Sequence, residues 1–279
     1  MPSVAARYVA LCERVAARLG HPRVRALHLP PPQPASQNDA DFLAVELEDG
    51  SIGFSYVAID GKASPPRSRP DASAVAGADA AALARGYAGN DPVARAVGFA
   101  AINALTQQLF GCAGYVPPEA GDSLGALGPA PGEHVGMIGL FPPLISQVDA
   151  ARARLTVLEL KPELAGEREH YRVTLDPAHL ATCDKVVSTC TVMLNDTLDA
   201  VLAACRDARH FAIVGPTAGC FPDPLFARGV DSIGGRRVVD VAGFRDAFLR
   251  GEKWGAFAAK YVIAQRDYPG VERLLDRVD

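Results

Sequence analysis

Apolar positions in the first twenty residues fall at helical spacing: Val4, Tyr8, Leu11, Val15 and Leu19, with Arg7, Glu13, Arg14 and Arg18 mostly elsewhere. This predicts an amphipathic helix closed by Gly20 as its C-cap. Arg23–Leu29 then alternates towards a strand and stops at Pro30-Pro31-Pro32. Phe42–Glu48 and Ser51–Ala58 flank Asp49-Gly50, which reads as a hairpin around a two-residue turn. Gly61–Ser73, rich in Pro, Ser and Arg, reads as loop. Two helices follow, one over about Ala74–Tyr87 and one that opens at Asp91-Pro92 and runs to about Phe110. Asp91 is placed to cap the second, and proline fits its first helical position. A meander followed by helices is an α+β signature.

Gly111 to Gly132 holds repeated Gly and Pro and few long apolar residues, as domain linkers do. Beyond it the rhythm becomes strand–helix alternation. Strands are expected near Val135–Leu140, Arg154–Glu159, Lys185–Thr189, His210–Val214, Arg237–Asp240 and Lys260–Ala264. Helices are expected near Leu144–Ala150, Thr197–Arg206, Gly243–Arg250 and Val271–Arg277. Crossover helices between strands build a parallel, Rossmann-like sheet. The expected organisation is therefore an α/β chain with an α+β unit at residues 1–112, a linker at 113–132 and a Rossmann-like unit at 133–279.

Composition narrows the function classes. The chain has 279 residues, 49% hydrophobic and 22% charged, enough for an ample core in two modest domains. A net charge of −4 leaves no basic surplus to grip phosphate backbones, which argues against nucleic acid as a partner. No apolar run approaches the ~20 residues that span a bilayer, which argues against a membrane partner. The first helix lacks the uninterrupted apolar core of a secretory signal, so a cytoplasmic protein is expected. The six cysteines are scattered without CxxC or zinc-finger spacing and should be reduced there.

Candidate chemistry gathers at strand ends. Gly136 and Gly139 close the first strand of the second half without forming a full dinucleotide fingerprint, and Glu159 ends the next strand, 20 residues after Gly139. An acidic residue there often takes ribose hydroxyls; packing glycines and a solvated carboxylate are the plainer explanation. Thr189 to Thr197 is a dense polar cluster after another strand, in which Asn195, Asp196 or Thr197 can cap a helix beside exposed hydroxyls. Cys190 and Cys220 follow consecutive strands and offer two thiols to a soft metal such as zinc, copper(I) or cadmium, with Asp223 or a histidine completing the set. Ordinary packing of small buried thiols competes with that reading. Asn103 lies in an otherwise apolar helix and either ties a loop or faces a cleft. There is no HExxH, no GxSxG and no recognisable acid–base pair, so no residue set fixes a reaction type.

Read together, Gly98 to Leu105, Val135 to Pro143, Glu159, Thr189 to Thr197, Gly215-Pro216-Thr217, Leu225-Phe226 and Val239-Asp240 resemble the heavy-metal chelation domain family. The match spans about Asp91 to Asp240 and departs at Cys190 and Asp196, where glycine is usual. The resemblance implies an enolase N-terminal-like first domain, a Rossmann-like second domain and a site between them. The resulting expectation is a homodimer whose interdomain cleft binds a heavy-metal ion or metal chelate. Asn103, Gly136, Gly139, Glu159, Thr189, Asn195 and Thr217 are the expected ligand contacts, and Cys190 and Cys220 the expected metal ligands. The other class is an enzyme that uses a nucleotide-like cofactor, such as S-adenosylmethionine, to build or modify a small metabolite.

Overall fold

The computed structural model describes residues 3–31, 41–57, 69–120 and 127–278. The first half builds a three-stranded antiparallel sheet, β1 (Val24–His28), β2 (Asp41–Leu47) and β3 (Ile52–Val57), in that order. Asp49 and Gly50 form the turn expected between β2 and β3. Helix α3 (Pro92–Cys112) lies on it, and α1 (Val4–Arg18) and α2 (Ala80–Ala84) pack against α3. The Asp91 carboxylate caps α3, accepting from Ala94 N at 2.6 Å. Most of α3 is buried, as expected of a helix that is apolar all round. It lies flush on β3: a Cβ added to Gly53 would sit 2.1 Å from Ala104 N and 2.2 Å from Ala100 O. Only glycine permits that approach.

The second sheet has eight strands: β4 (His134–Ile138), β5 (Arg154–Leu158), β6 (Gly166–Glu167), β7 (Arg172–Thr174), β8 (Lys185–Thr189), β9 (His210–Val214), β10 (Ser232–Val238) and β11 (Ala258–Ala264). Their order is β11–β10–β9–β8–β4–β5–β7–β6. The six inner strands run parallel, and the two edge strands pair antiparallel. The chain steps outward from β4 to β5 and β7, then returns to β4's other side for β8, β9 and β10. Strand order therefore reverses between β4 and β8, the place where open α/β sheets leave a crevice at the strand carboxyl ends. The remaining helices are α4 (Pro142–Ala150), α5 (Leu198–Ala204), α6 (Asp223–Phe226), α7 (Val241–Leu249) and α8 (Val271–Leu275).

Two expectations change. The helix expected over Ala74–Tyr87 is a turn over 73–77, then α2 and one 3-10 turn at Arg85–Ala88. Asp79 caps α2 through Ala82 N, and Gly77 at φ +77° cannot continue a helix, so the element starts late. The strand expected at Arg237–Asp240 is the tail of β10, which begins at Ser232. Gly234 and Gly235 dilute its strand signal, and Gly235 is small because Tyr261 covers it: a Cβ there would lie 2.6 Å from the Tyr261 hydroxyl oxygen. The short β6 and β7 had no signal strong enough to predict. Part of the expected Gly61–Ser73 loop, residues 61–68, and residues 121–126 of the expected linker lie outside the described residues.

One cluster of buried side chains runs from Val4 and Tyr8 through Phe99 and Leu105 to Phe221, Ile263 and Val278, so both sheets contribute to it. Polar bonds stitch the same seam. Glu46 on β2 is fully buried and pairs with Arg245 of α7, and with Arg25 at 3.2 Å and His28 at 2.8 Å. Burial alone would raise the Glu46 carboxyl; hydrogen bonds from Arg245 and His28 outweigh it and hold the group below the usual carboxylate range.

Candidate functional site

A cleft of about 590 Å³ opens where strand order reverses, at the carboxyl ends of β4, β5 and β8. Tyr56 and Val57 at the end of β3, with Pro92, Arg95 and Ala96 in the first turns of α3, form its opposite wall. Ile138, Leu158, Leu175, Val192 and Val201 give it an apolar lining. Gly139 closes β4 with φ +81°, and its N–H donates to Leu158 O at 2.9 Å. That left-handed turn keeps the first strand end clear, with Thr189 next to it: a Cβ on Gly139 would lie 3.1 Å from Thr189 Cγ2.

Most polar groups of the cleft come from the loops after β5 and β8. Thr189 Oγ1 accepts from Thr191 N at 3.3 Å and Thr191 Oγ1 at 3.2 Å. Asn195 Oδ1 accepts from Thr197 N at 3.2 Å and Thr197 Oγ1 at 2.6 Å, holding the loop into α5. Glu159 stands just beyond β5, and its carboxylate accepts from Leu160 N at 3.2 Å. Gly139, Glu159, Thr189 and Asn195 are thus the sequence-predicted residues that the structure brings to one cavity.

The other five do not line it. Gly136 lies inside β4, and a Cβ there would meet Cys183 Sγ at 3.1 Å and Val186 at 3.2 Å, so its smallness serves packing. Asn103 Nδ2 donates to Phe54 O at 2.6 Å and Thr217 O at 2.8 Å, tying the first sheet to the loop after β9. Thr217 Oγ1 accepts from Tyr56 N at 2.8 Å across the same seam. Cys220 Sγ accepts from the Tyr8 hydroxyl at 3.1 Å, whereas Cys190 lies against Gly215 and hydrogen-bonds with Thr217. Burial pushes the Cys190 thiol up to about 11 and the Cys220 thiol up to about 12, so both are protonated at neutral pH. Protonated thiols are poor metal ligands. Asp223, one of the candidates to complete the set, instead accepts from Val271 N at 3.0 Å and the Tyr268 hydroxyl at 3.0 Å. Among the described residues no group of three or more His, Cys, Asp and Glu side chains is placed to hold a metal ion.

Sequence reasoning missed Arg95. It is the one charged side chain among the 21 residues of α3, which was the available signal. Its guanidinium lies 5.5 Å from the centre of the Tyr87 ring and is 13% exposed. Nη2 meets Asp196 Oδ1 at 2.6 Å, and Nη1 donates to Gly89 O at 3.3 Å. Lys161 also reaches the cleft, from the loop after β5.

Comparison with known proteins places this architecture. Residues 122–265 match the sequence profile of a family described as "Putative heavy-metal chelation" (DUF364), and residues 40–106 match a second with the same description (DUF4213). A DUF364 protein of unknown function from Pyrococcus horikoshii superposes with a TM-score of 0.68 at 16% identity, covering 92% of this chain and 99% of that one. Another, from Desulfitobacterium hafniense, gives 0.66 at 19% identity, covering 92% and 98%. These likenesses establish the mixed α/β fold with its large, mainly parallel sheet. An uncharacterized protein of Methanocaldococcus jannaschii is 29% identical over 160 residues, 54% of this chain; the match spans only 57% of that relative's length. Among the described residues no helix is long and apolar enough to cross a membrane. The first of these matches takes in more than half of the sequence, and the chain belongs to the DUF364 family, described as "Putative heavy-metal chelation".

Proposed function

We propose that the cleft at the β4–β8 reversal binds a small metal-chelating organic molecule, free or as its metal complex. The observation that carries this reading is the site itself. It is a cavity of about 590 Å³ at the strand carboxyl ends, apolar in its lining, with Thr189, Thr191, Asn195, Glu159 and Lys161 at its edge. Ligand sites commonly measure ~300–1,000 Å³ and combine an apolar lining with a few polar groups. A bare heavy-metal ion does not fit the side chains present: among the described residues the cleft is lined by no cysteine or histidine, and Cys190 and Cys220 are buried and engaged elsewhere. In a chelate, the organic molecule supplies the donor atoms and the protein recognises its outside. The same reading takes residues 1–112 as an enolase N-terminal-like unit that roofs a Rossmann-like unit of residues 133–279.

A nucleotide-like ligand is the second reading. Gly139 and Glu159 end the adjacent parallel strands β4 and β5, which are the phosphate-turn and ribose positions of a dinucleotide fold. Calorimetric titration of the purified chain separates the two, using citrate, 2,2′-bipyridine, their nickel complexes and S-adenosylmethionine. The Ala200→Trp variant fills the cleft from an exposed position on α5. Chelator binding that Ala200→Trp lowers by about tenfold or more supports the proposal. No binding of any chelator, or binding indifferent to Ala200→Trp, overturns it, and binding of S-adenosylmethionine alone selects the second reading.

A further inference from the structure

We infer that Arg95 is a carboxylate seat in this cleft and that Asp196 is its built-in placeholder, so that the molecule bound there is an organic acid. The inference rests on the cleft's being a ligand site and names the chemistry it recognises.

The guanidinium is held rather than loose. It packs over Tyr87, whose hydroxyl is fixed by donation to Met193 O at 2.9 Å, and Nη1 is anchored on Gly89 O. The edge of a guanidinium formed by Nε and Nη2 presents two parallel N–H groups, the spacing that a carboxylate takes with both oxygens. Here only one prong is used: Asp196 Oδ1 takes Nη2, while Nε is shielded from water and has no hydrogen-bond partner among the described residues. A half-filled fork with a buried orphan donor is a seat for a better-fitting carboxylate.

Asp196 has the properties of a displaceable occupant. Its side chain is 77% exposed, so its pairing with Arg95 competes with water on one side. Its backbone has φ +60°, a left-handed conformation that glycine adopts without strain and aspartate tolerates. Asp196 also lines the cleft, beside Asn195 and Thr197, so a carboxylate that replaced it would belong to a molecule occupying the cavity. Lys161 and Glu159 line the same walls with one charge of each sign, so displacing Asp196 leaves Arg95 as the charge an acidic occupant would answer.

The test is calorimetric titration of the purified full chain with citrate, a tricarboxylate, and with 2,2′-bipyridine, an uncharged chelator. Asp196→Gly removes the competing carboxylate at a backbone position suited to glycine, and should tighten citrate by about threefold to tenfold. Arg95→Gln should weaken citrate by about tenfold or more, and Arg95→Lys should restore only part of that loss, because an ammonium lacks the fork. Neither substitution should move bipyridine. Citrate affinity unchanged or weakened in Asp196→Gly overturns the proposal, and so does unchanged affinity in Arg95→Gln. Because Asp196 is exposed, its variant keeps the test open even if Arg95→Gln fails to fold. Ala200→Trp separates the two levels: if it abolishes binding of both probes while the Asp196 and Arg95 variants change nothing, the cleft stands and the seat falls. If it changes neither probe, the cleft reading itself falls.

Discussion

The seam between the two sheets and the cleft at the β4–β8 reversal share the elements β3 and α3, yet use polar groups in opposite ways. In the seam, Asn103, Thr217, Tyr8 and Glu46 are buried and each makes a hydrogen bond to a partner in the other half of the chain. In the cleft, the side chains of Thr189, Thr191, Asn195 and Thr197 bond, among the described residues, within their own loop while lining the cavity. A fully buried polar group with a long-range partner is holding the fold, because leaving that partner unpaired in the interior is costly. A polar group with only local partners at a cavity edge is available to something else. The difference explains why residue type alone did not separate the two regions: threonine and asparagine occur in both.

The largest test of the comparison is Glu46→Gln. The variant leaves the Arg245 guanidinium without its carboxylate and should cost about 3 kcal/mol by urea denaturation, at the low end for a buried ion pair because the arginines are partly exposed. Because the native carboxyl titrates below its ordinary value of 4.5, its stabilisation is complete above that pH and is lost as pH falls further. The wild type should therefore lose stability below pH 4.5 more steeply than the variant. Equal acid slopes would remove Glu46 from the seam. Next comes Asn103→Ala, which strips the donor from Phe54 O and Thr217 O and should cost about 2 kcal/mol. If instead it left stability intact and abolished chelator binding, Asn103 would belong to the cleft.

How far the chain disclosed this depends on distance along it. Local signals carried well: the Asp91-Pro92 cap, the Asp49-Gly50 turn and strands β8 and β9 fall where periodicity puts them. Gly139, Glu159, Thr189 and Asn195 were legible as one cluster because each sits at a strand end, and a parallel sheet gathers strand ends on one edge. The seam was not legible. Asn103 and Thr217 are 114 positions apart, and Tyr8 and Cys220 are 212 apart, so no spacing rule links them. Cys190 and Cys220 read as a thiol pair because β8 and β9 are neighbours, but register says nothing of side-chain partners, and Tyr8 comes from the other half of the molecule. Arg95 was hidden by the opposite effect: a lone charge in an apolar helix reads as a solvated end until Tyr87 and Asp196 are seen around it.

The seam also makes an alkaline prediction. Cys190 and Cys220 ionise near 9 when exposed but near 11 and 12 in the fold, chiefly because burial disfavours the thiolate. A folded-state value raised in this way leaves stability complete below pH 9 and erodes it as pH rises towards 11–12. At pH 10 each thiol should cost about 1 kcal/mol relative to pH 8, read from urea midpoints in the presence of reductant. Cys112 is exposed and should react first with a thiol reagent in the native protein. Native-state labelling of Cys190 or Cys220 as fast as Cys112 would mean an accessible thiol pair and would restore the soft-metal reading.

The smallest expected effect on stability is the sharpest on the cleft. Thr189→Val keeps the side chain's shape and removes only the hydroxyl. The two bonds lost, from Thr191 N and Thr191 Oγ1, are long at 3.3 and 3.2 Å, and their donors stand at a cavity edge where water can replace Thr189. Stability should therefore change by no more than about 0.5 kcal/mol, the usual range for sites away from buried networks. A molecule in the cleft has no such substitute, since it would displace that water, so its affinity should fall by severalfold in the same variant. Stability and binding then move independently at Thr189, whereas at Asn103 they move together or stability moves alone. A Thr189→Val variant as destabilised as Asn103→Ala would show that the hydroxyl loop is part of the structural seam, and the distinction between the two regions would fail at the residue chosen to display it.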